Sequence, residues 1–352
     1  MLENPYLLRD SSIMNDLFSD ILQFTQAQSV VSGGFTAGGA WALRFPAPDK
    51  IKFFALVKGN CWFRFNDEDE PLRLEEGDVF LLAAQRSFVL AGDLTQAPLD
   101  AVRVFAASDN KNAKLGEGED CIQIGGHIKL DPASGGLLSD VLPPFIHVRA
   151  ASPQASVLRW LLDQLVRERT AQLPGVGIAS SQLAQLMFVQ ILRVHFSTAG
   201  TLAAGWLRAL ADPRIAPVLR LMHGDPGHPW QLAELARAAA MSRTSFALHF
   251  KAVAGVAPLS YLTDWRMRLA ERALRESDVP VAVLARSLGY TSESAFSSAF
   301  KRVNGHAPKP YRIAARRALE TTEASSSPSQ GATVVNLATG IPATLETAAK
   351  IP

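Results

Sequence analysis

The sequence predicts a multi-domain α+β protein. Its N-terminal half reads as short strands forming a sandwich or small barrel with flanking helices, and its C-terminal part as an all-α duplicated helix-turn-helix. Three observations predict this. From Val30 to Phe105, short apolar runs alternate with turn residues at close spacing, the pattern of a sandwich or barrel. Residues 230–312 contain one unit twice. Charge is split between the parts: residues 213–317 hold 16 Lys+Arg against 7 Asp+Glu, net +9, whereas residues 1–212 are net −5 and residues 318–352 net −2.

The repeat is the strongest signal. Ser242–Tyr261 laid over Ser292–Tyr311, a shift of 50, matches at nine of twenty positions, including Phe246/Phe296, Phe250/Phe300, Lys251/Lys301, Gly255/Gly305 and Pro258/Pro308. A two-copy unit is one supersecondary motif used twice. Each copy reads as a helix-turn-helix. Leu232, Leu235, Ala236 and Ala239 form one buried stripe, and Val281, Leu284, Ala285 and Leu288 form its counterpart. Ser242 and Ser292 stand as N-caps of the second helices, the Phe pairs lie on their inner faces, and Gly255 and Gly305 end them. A helix over Pro258–Glu276 links the copies, with Leu262, Trp265 and Leu269 on its apolar stripe and Arg266, Arg268, Arg272 and Arg275 as a basic face. At about 1.5 Å per residue it is roughly 28 Å long, close to the ~34 Å turn of duplex DNA. One chain could then set two recognition helices in successive major grooves. The basic third is the charge expected of phosphate contacts.

The N-terminal elements follow from pattern. A short amphipathic helix is expected at about Met14–Thr25. Strands are expected around Phe35 and at Ala40–Phe45, Ile51–Lys58, Cys61–Asn66, Leu72–Leu74, Val79–Leu82, Ser87–Ala91, Ala101–Ala106 and Cys121–Ile128, with turns at Gly33-Gly34 and Gly59-Asn60. Stripes of Leu predict helices at about Pro153–Arg169 and Ser180–Phe196. The expected divisions are 1–150, a helical pair 151–197, a linker 198–212 docked by Trp206 and Leu207, 213–317, and a disordered tail 318–352. Two cysteines, Cys61 and Cys121, give no disulfide framework. The start, with Glu3 and Asp10, does not read as a signal peptide, and no apolar run reaches the ~20 residues of a membrane span. A soluble cytoplasmic protein is expected.

Two resemblances add to this reading. WQLAELARAAAMSRTSFALHFKAVAGVAPLSYLTDWRMRLAERAL and VAVLARSLGYTSESAFSSAFKRVNGHAPKPYR resemble the DNA-binding domain of the AraC family of bacterial transcription regulators over residues 213–313. The stretches WALRFPAP, FFALVKGNCWFRF, LRLEEGDVFLLAAQRSFVL and LPPFIHVR resemble the cupin-type jelly-roll sensor of one AraC subfamily. The resemblance implies a non-enzymatic, sequence-specific regulator of double-stranded DNA without a cofactor. A small molecule in the barrel would change how it recruits RNA polymerase, and residues 153–196 would supply a homodimer contact.

Carried residue by residue, the first recognition helix presents Arg243, Thr244, Ala247 and Leu248 to base edges, and the second presents Glu293, Ser294, Ser297 and Ser298. Arg243 suits guanine and Glu293 suits cytosine. Lys251, Lys301, Arg302, Lys309 and Arg312 suit phosphates. Leu248 and Ser298 stand where relatives often carry Arg, which shifts readout toward apolar contacts and DNA shape. For an effector pocket the candidates are Trp41, Phe54, Trp62, Phe80 and Phe88 as apolar wall, with Arg44, Arg64 or Arg103 as anion anchor.

Three competing functions stand beside this. A metal-dependent cupin enzyme needs three or four ligands, but the first 190 residues hold only His127 and His147, so no metal site is expected. A thiol-based redox sensor would use Cys61 or Cys121, although the acidic run Glu117–Asp120 would raise the Cys121 pKa. An architectural DNA binder would ignore sequence.

Overall fold

The computed structural model describes residues 17–68, 70–108, 112–132, 134–198 and 204–326. Helix α1 (Leu17–Phe24) leads into strands β1 (Gln28–Ala37), β2 (Ala42–Phe45), β3 (Ile51–Lys58), β4 (Asn60–Phe65), β5 (Leu72–Glu75), β6 (Val79–Leu82), β7 (Phe88–Ala91) and β8 (Leu99–Asp100). Helix α2 (Ala101–Ala106) precedes β9 (Asn112–Leu115), β10 (Cys121–Lys129), the short α3 (Gly136–Ser139) and β11 (Phe145–Val148). Two antiparallel-rich sheets result, one of six strands in the order β11-β6-β3-β10-β1-β9 and one of five in the order β5-β4-β7-β2-β8. Their inner faces enclose an aromatic core of Phe35, Phe54, Phe63, Phe80 and Phe88. Period-2 alternation decides which residues enter it. On β3 the even residues Phe54 and Leu56 point inward, while Phe53 and Ala55 point out against helices.

Those helices are α4 (Ser156–Ala171) and α5 (Val176–Thr198), whose stripes of Leu158, Leu161, Leu162, Leu165, Met187, Phe188 and Ile191 cover the outer face of the six-stranded sheet. Gln185 staples α5 to β1. Its Oε1 accepts from Ser29 N at 2.8 Å and its Nε2 donates to Ala27 O at 3.0 Å.

Several expectations are corrected. Ala101–Ala106 is a helix, not a strand, because the Asp100 carboxylate accepts from Val102 N and Arg103 N and so caps a helical turn. Gly33-Gly34 lies inside β1 at a bulge, not at a turn. Strands β9 and β11 and helix α3 were not foreseen. Of the N-terminal helix, Leu17–Phe24 is present and the expected start at Met14 lies outside the described residues.

The C-terminal part contains α6 (Trp206–Ala211), α7 (Ala216–Gly224), α8 (Leu232–Ala238), α9 (Arg243–Ala254), α10 (Pro258–Glu276), α11 (Val281–Ser287), α12 (Glu293–Asn304) and α13 (Pro308–Ser326). The expected linker thus contains a helix, with Trp206 and Leu207 buried as anticipated. Helix α13 runs on to Ser326, so the expected disordered tail begins as helix, and residues 327–352 lie outside the described part.

The first helix-turn-helix shares one continuous core with the helices of the N-terminal domain, whereas the second has a core of its own around Met267, Leu284, Phe296 and Phe300. The sensor and α10 also meet directly. Phe24 packs on Trp265 with ring centroids 5.0 Å apart. Arg275 pairs with Asp131 at 3.1 Å, the two side chains being 9% and 10% exposed. Asp131 also accepts from Ser134 N and Ser134 Oγ at 2.9 and 2.8 Å. Removing one partner of a buried pair strands the other charge. We expect Arg275→Met to destabilise the chain by about 3–5 kcal/mol in chemical denaturation. The double variant with Asp131→Leu should recover most of that loss; additive losses would show that the two groups do not act as a pair.

Candidate nucleic-acid interface and sensor cavity

The two copies of the repeat are locally built alike. Ser242 Oγ accepts from Ser245 N at 3.2 Å, and Ser292 Oγ accepts from Ala295 N at 3.1 Å, so both caps act as expected. Gly255 and Gly305 close α9 and α12 at φ of 82° and 74°, where a side chain would be strained. Phe246, Phe250, Phe296 and Phe300 are fully buried. Tyr261 and Tyr311 stand edge-on against the second Phe of each copy, at 5.7 and 5.3 Å.

This packing leaves the same positions uncovered in both helices. Arg243, Thr244 and Leu248 are exposed and Ala247 is half-buried; Glu293, Ser294 and Ser298 are exposed and Ser297 is half-buried. Leu248 is 67% exposed, a large apolar side chain with nothing over it. Lys251, Lys301, Arg302 and Lys309 are also exposed. Arg312 is not free in the same way: it is half-buried and its guanidinium donates to the Val279 carbonyl, tying α13 to the start of α11.

The basic face foreseen on α10 is largely engaged within the molecule. Arg266 donates to the Pro226 and His228 carbonyls at 2.6 and 2.8 Å. Arg272 pairs with Glu276 at 2.9 Å and lies over the Phe24 ring at 5.7 Å, while Arg275 holds Asp131. Their charge is spent inside the molecule, and the surplus of basic residues overstates what phosphates can meet.

In the N-terminal domain a cavity of about 380 Å³ opens between the sheets. Phe54 and Phe88 line it, as expected. The other candidates do not. Trp41 and Phe80 are core residues, Trp41 packed on Phe35 at 5.0 Å and Phe80 stacked on Phe54 at 4.9 Å. Arg44, Trp62 and Arg64 occupy the opposite parity of β2 and β4 from the inward-facing Leu43, Phe63 and Phe65, so they point out of the barrel. Arg103 is exposed on α2. The cavity's polar side chains are instead Lys52, Gln123, Ser32 and Asp49, and its floor is glycine, including Gly33 and Gly125. The missed signal was available: glycine inside a strand marks a place where something approaches the backbone closely.

The histidines are structural. His147 Nε2 meets Asp78 at 2.8 Å, and His127 Nδ1 meets Ser32 Oγ at 2.9 Å. Among the described residues no three His, Cys, Asp or Glu are grouped to hold a metal ion. Burial opposes ionisation of Asp78, but hydrogen bonds from His147 and from the Ala150 and Glu75 amides outweigh it and hold the carboxyl below its usual range. Cys61 and Cys121 are buried and in contact. Interaction between the two thiols, with burial, raises Cys61, and the same interaction lowers Cys121 against burial and the upward effect of Asp120.

A family model described as "Cupin" matches residues 16–197, and one described as "Helix-turn-helix domain" matches residues 235–314. A putative AraC-like transcription regulator of Streptomyces antibioticus is 43% identical over 297 residues, covering 84% of this chain and 98% of its own. The chain belongs to the AraC family. Another relative, the HTH-type transcriptional regulator AlkR of Acinetobacter baylyi, is 29% identical over 289 residues, 78% of this chain and 91% of that protein. The crystal structure of the DNA-binding domain of AdpA with a target DNA matches 30% of this chain and 96% of its own at 34% identity, with a TM-score of 0.29. This AraC-family protein is therefore a DNA-binding transcription regulator with an N-terminal cupin domain. No described helix is long and apolar enough to cross a membrane.

Two predictions follow from these contacts. Because the Asp78 pKa is depressed in the folded state, its stabilisation is present above the unfolded carboxylate value of about 4 and is lost as pH falls through the lower folded value. Asp78→Asn should cost about 1.5–3 kcal/mol at neutral pH and flatten the acid limb of a thermal-melting profile. Arg243→Ala should weaken operator binding by about 1–3 kcal/mol and relax the preference at one base pair, read by fluorescence anisotropy on operator and substituted duplexes.

Proposed function

We propose that this protein is a sequence-specific regulator whose presentation of two recognition helices, and hence recruitment of RNA polymerase, is set by a small molecule in the N-terminal cavity. The observation that carries this reading is the matched exposure of α9 and α12. Two copies of one motif bury the same residues and offer the same ring of positions. Arg243, Thr244, Ala247 and Leu248, with Glu293, Ser294, Ser297 and Ser298, are the proposed base readers, and Lys251, Lys301, Arg302 and Lys309 the proposed phosphate contacts. Phosphate contacts fix register, and base contacts carry sequence.

The route from cavity to reader is short. Strand β10 supplies Gln123, Gly125 and Gly126 to the cavity, and Asp131, two residues past its end, grips Arg275 of α10. A ligand that fits one placement of β10 better than another biases that grip, which is all that a population shift requires. The barrel is read as a sensor and not an enzyme, and the protein as acting in the cytoplasm, where its DNA lies. The direct test is competition: binding to the protein's own promoter region should survive a large excess of random duplex at moderate salt. Equal competition would leave only an architectural binder.

Helices α4 and α5 leave Val157, Trp160, Ile178 and Leu186 exposed, Trp160 at 58% and Ile178 at 73%. This supports a homodimer through residues 153–196. Trp160→Glu should convert a dimer to a monomer in analytical ultracentrifugation; an unchanged sedimentation coefficient would place the contact elsewhere.

The contact between Cys61 on β4 and Cys121 on β10 favours a second reading, a thiol sensor. Hydrogen peroxide would take the two thiol hydrogens and two electrons, leaving one disulfide and two waters. Intact-mass analysis after peroxide treatment decides it by the presence or absence of an intrachain disulfide.

A further inference from the structure

The cavity lies over a stretch of sheet where glycines stand, with the Phe54 ring leaning close over Gly125. On the inner face of the six-stranded sheet, Gly33 of β1 and Gly125 of β10 are paired directly across the strands. Neither carries a side chain, so the floor there is bare backbone. At one end of the floor stands Gln123. It is 5% exposed, lines the cavity, and its Nε2 has no hydrogen-bond partner. Buried polar atoms are nearly always paired, so an orphaned donor facing an open space marks a missing acceptor. At the other end, Lys52 of β3 is paired across the ladder with His127 of β10. Lys52 lines the cavity, is half-buried, and makes no ion pair among the described residues. Burial holds its ammonium below the usual range, with Lys50 adding to this and Asp49 opposing it.

The walls are aromatic. Phe45 and Phe88 stack at 4.8 Å with planes 5° apart, and Phe54 lies 5.7 Å from Phe88. Phe105 on α2 closes the side. A bare floor beneath stacked rings is a slot, and its volume of about 380 Å³ is near the lower end of ligand sites, which run from about 300 to 1,000 Å³. Gln123 and the residue opposite Lys52 are four strand steps apart, about 13 Å at ~3.3 Å per step. Both side chains reach inward from there.

We propose that the cavity takes a planar, largely apolar carboxylic acid carrying a second oxygen acceptor at its far end, with the carboxylate toward Lys52 and the other oxygen toward Gln123 Nε2. The chemical class is that of hydroxy- or oxo-arene carboxylates of two fused rings. It rests on the reading of this barrel as the effector site. A cation would meet Lys52 unfavourably, and a polyol would leave the Phe walls unpaired with apolar surface.

The test uses the full-length protein and three probes in isothermal titration: 6-hydroxy-2-naphthoate, 2-naphthoate without the hydroxyl, and 2-naphthol without the acid. The wild type should bind 6-hydroxy-2-naphthoate about tenfold or more tightly than either of the others, the ratio one charged or well-buried hydrogen bond supplies. In Gln123→Leu, which removes the donor and keeps an apolar side chain of similar size, the first two probes should bind alike. In Lys52→Met, the first and third should. Failure of all three probes to bind overturns the proposal, as does binding indifferent to both substitutions or a preference for 2-naphthylmethylamine. A parallel titration of promoter DNA separates the two readings. Probe binding that obeys the variants but leaves DNA affinity unchanged supports the ligand class and sinks the effector role. DNA affinity that responds to a ligand indifferent to Lys52 and Gln123 does the reverse.

Discussion

The structure depends on α10 being one uninterrupted helix that three bodies share. Its first turns carry Tyr261 and Leu262 into the core of the first helix-turn-helix, and Met267, Ala270 and Leu274 into that of the second. Its other side meets the sensor through Trp265, Arg272 and Arg275. A helix of 19 residues does not stretch, so the spacing of the two readers is fixed by backbone hydrogen bonds and not by a flexible connection. The N-terminal domain therefore rests on the same helix that spaces α9 and α12.

Much of this was legible in the residues. The repeat, its Ser caps, its Gly stops and the bounds Pro258–Glu276 all follow from local rules, because capping and amphipathic stripes are decided within a few residues. The failures share a cause as well. Arg44 and Arg64 were taken as anchors from their sign, but strand parity, set by which neighbours pair, turns them outward. The arginines of α10 read as one basic face, whereas Asp131 and the Pro226 and His228 carbonyls, far away in sequence, claim two of them and Glu276 a third. Gly33-Gly34 looks like a turn because its strand partners, Gly125 and Ile124, lie ninety or more residues on. Contacts set by topology cannot be read from spacing alone.

His147 is committed to Asp78, and His127 to Ser32, so the imidazoles stiffen the fold. Among the described residues, the interior of the cupin barrel is a Phe-walled slot with the Gln123 amide nitrogen unpartnered and Lys52 and Asp49 in its lining. Among the described residues no three His, Cys, Asp or Glu are grouped to hold a metal ion. Strand β10 runs from this slot to within two residues of Asp131, which holds Arg275 of α10.

The most direct measurement of this account is guanine methylation interference on a promoter duplex with the protein held monomeric by dilution. A rigid α10 carrying two readers predicts two interfering segments in successive major grooves, about 10–10.5 base pairs apart on one face of the duplex. A single segment, or two whose separation varies between sites, would contradict it.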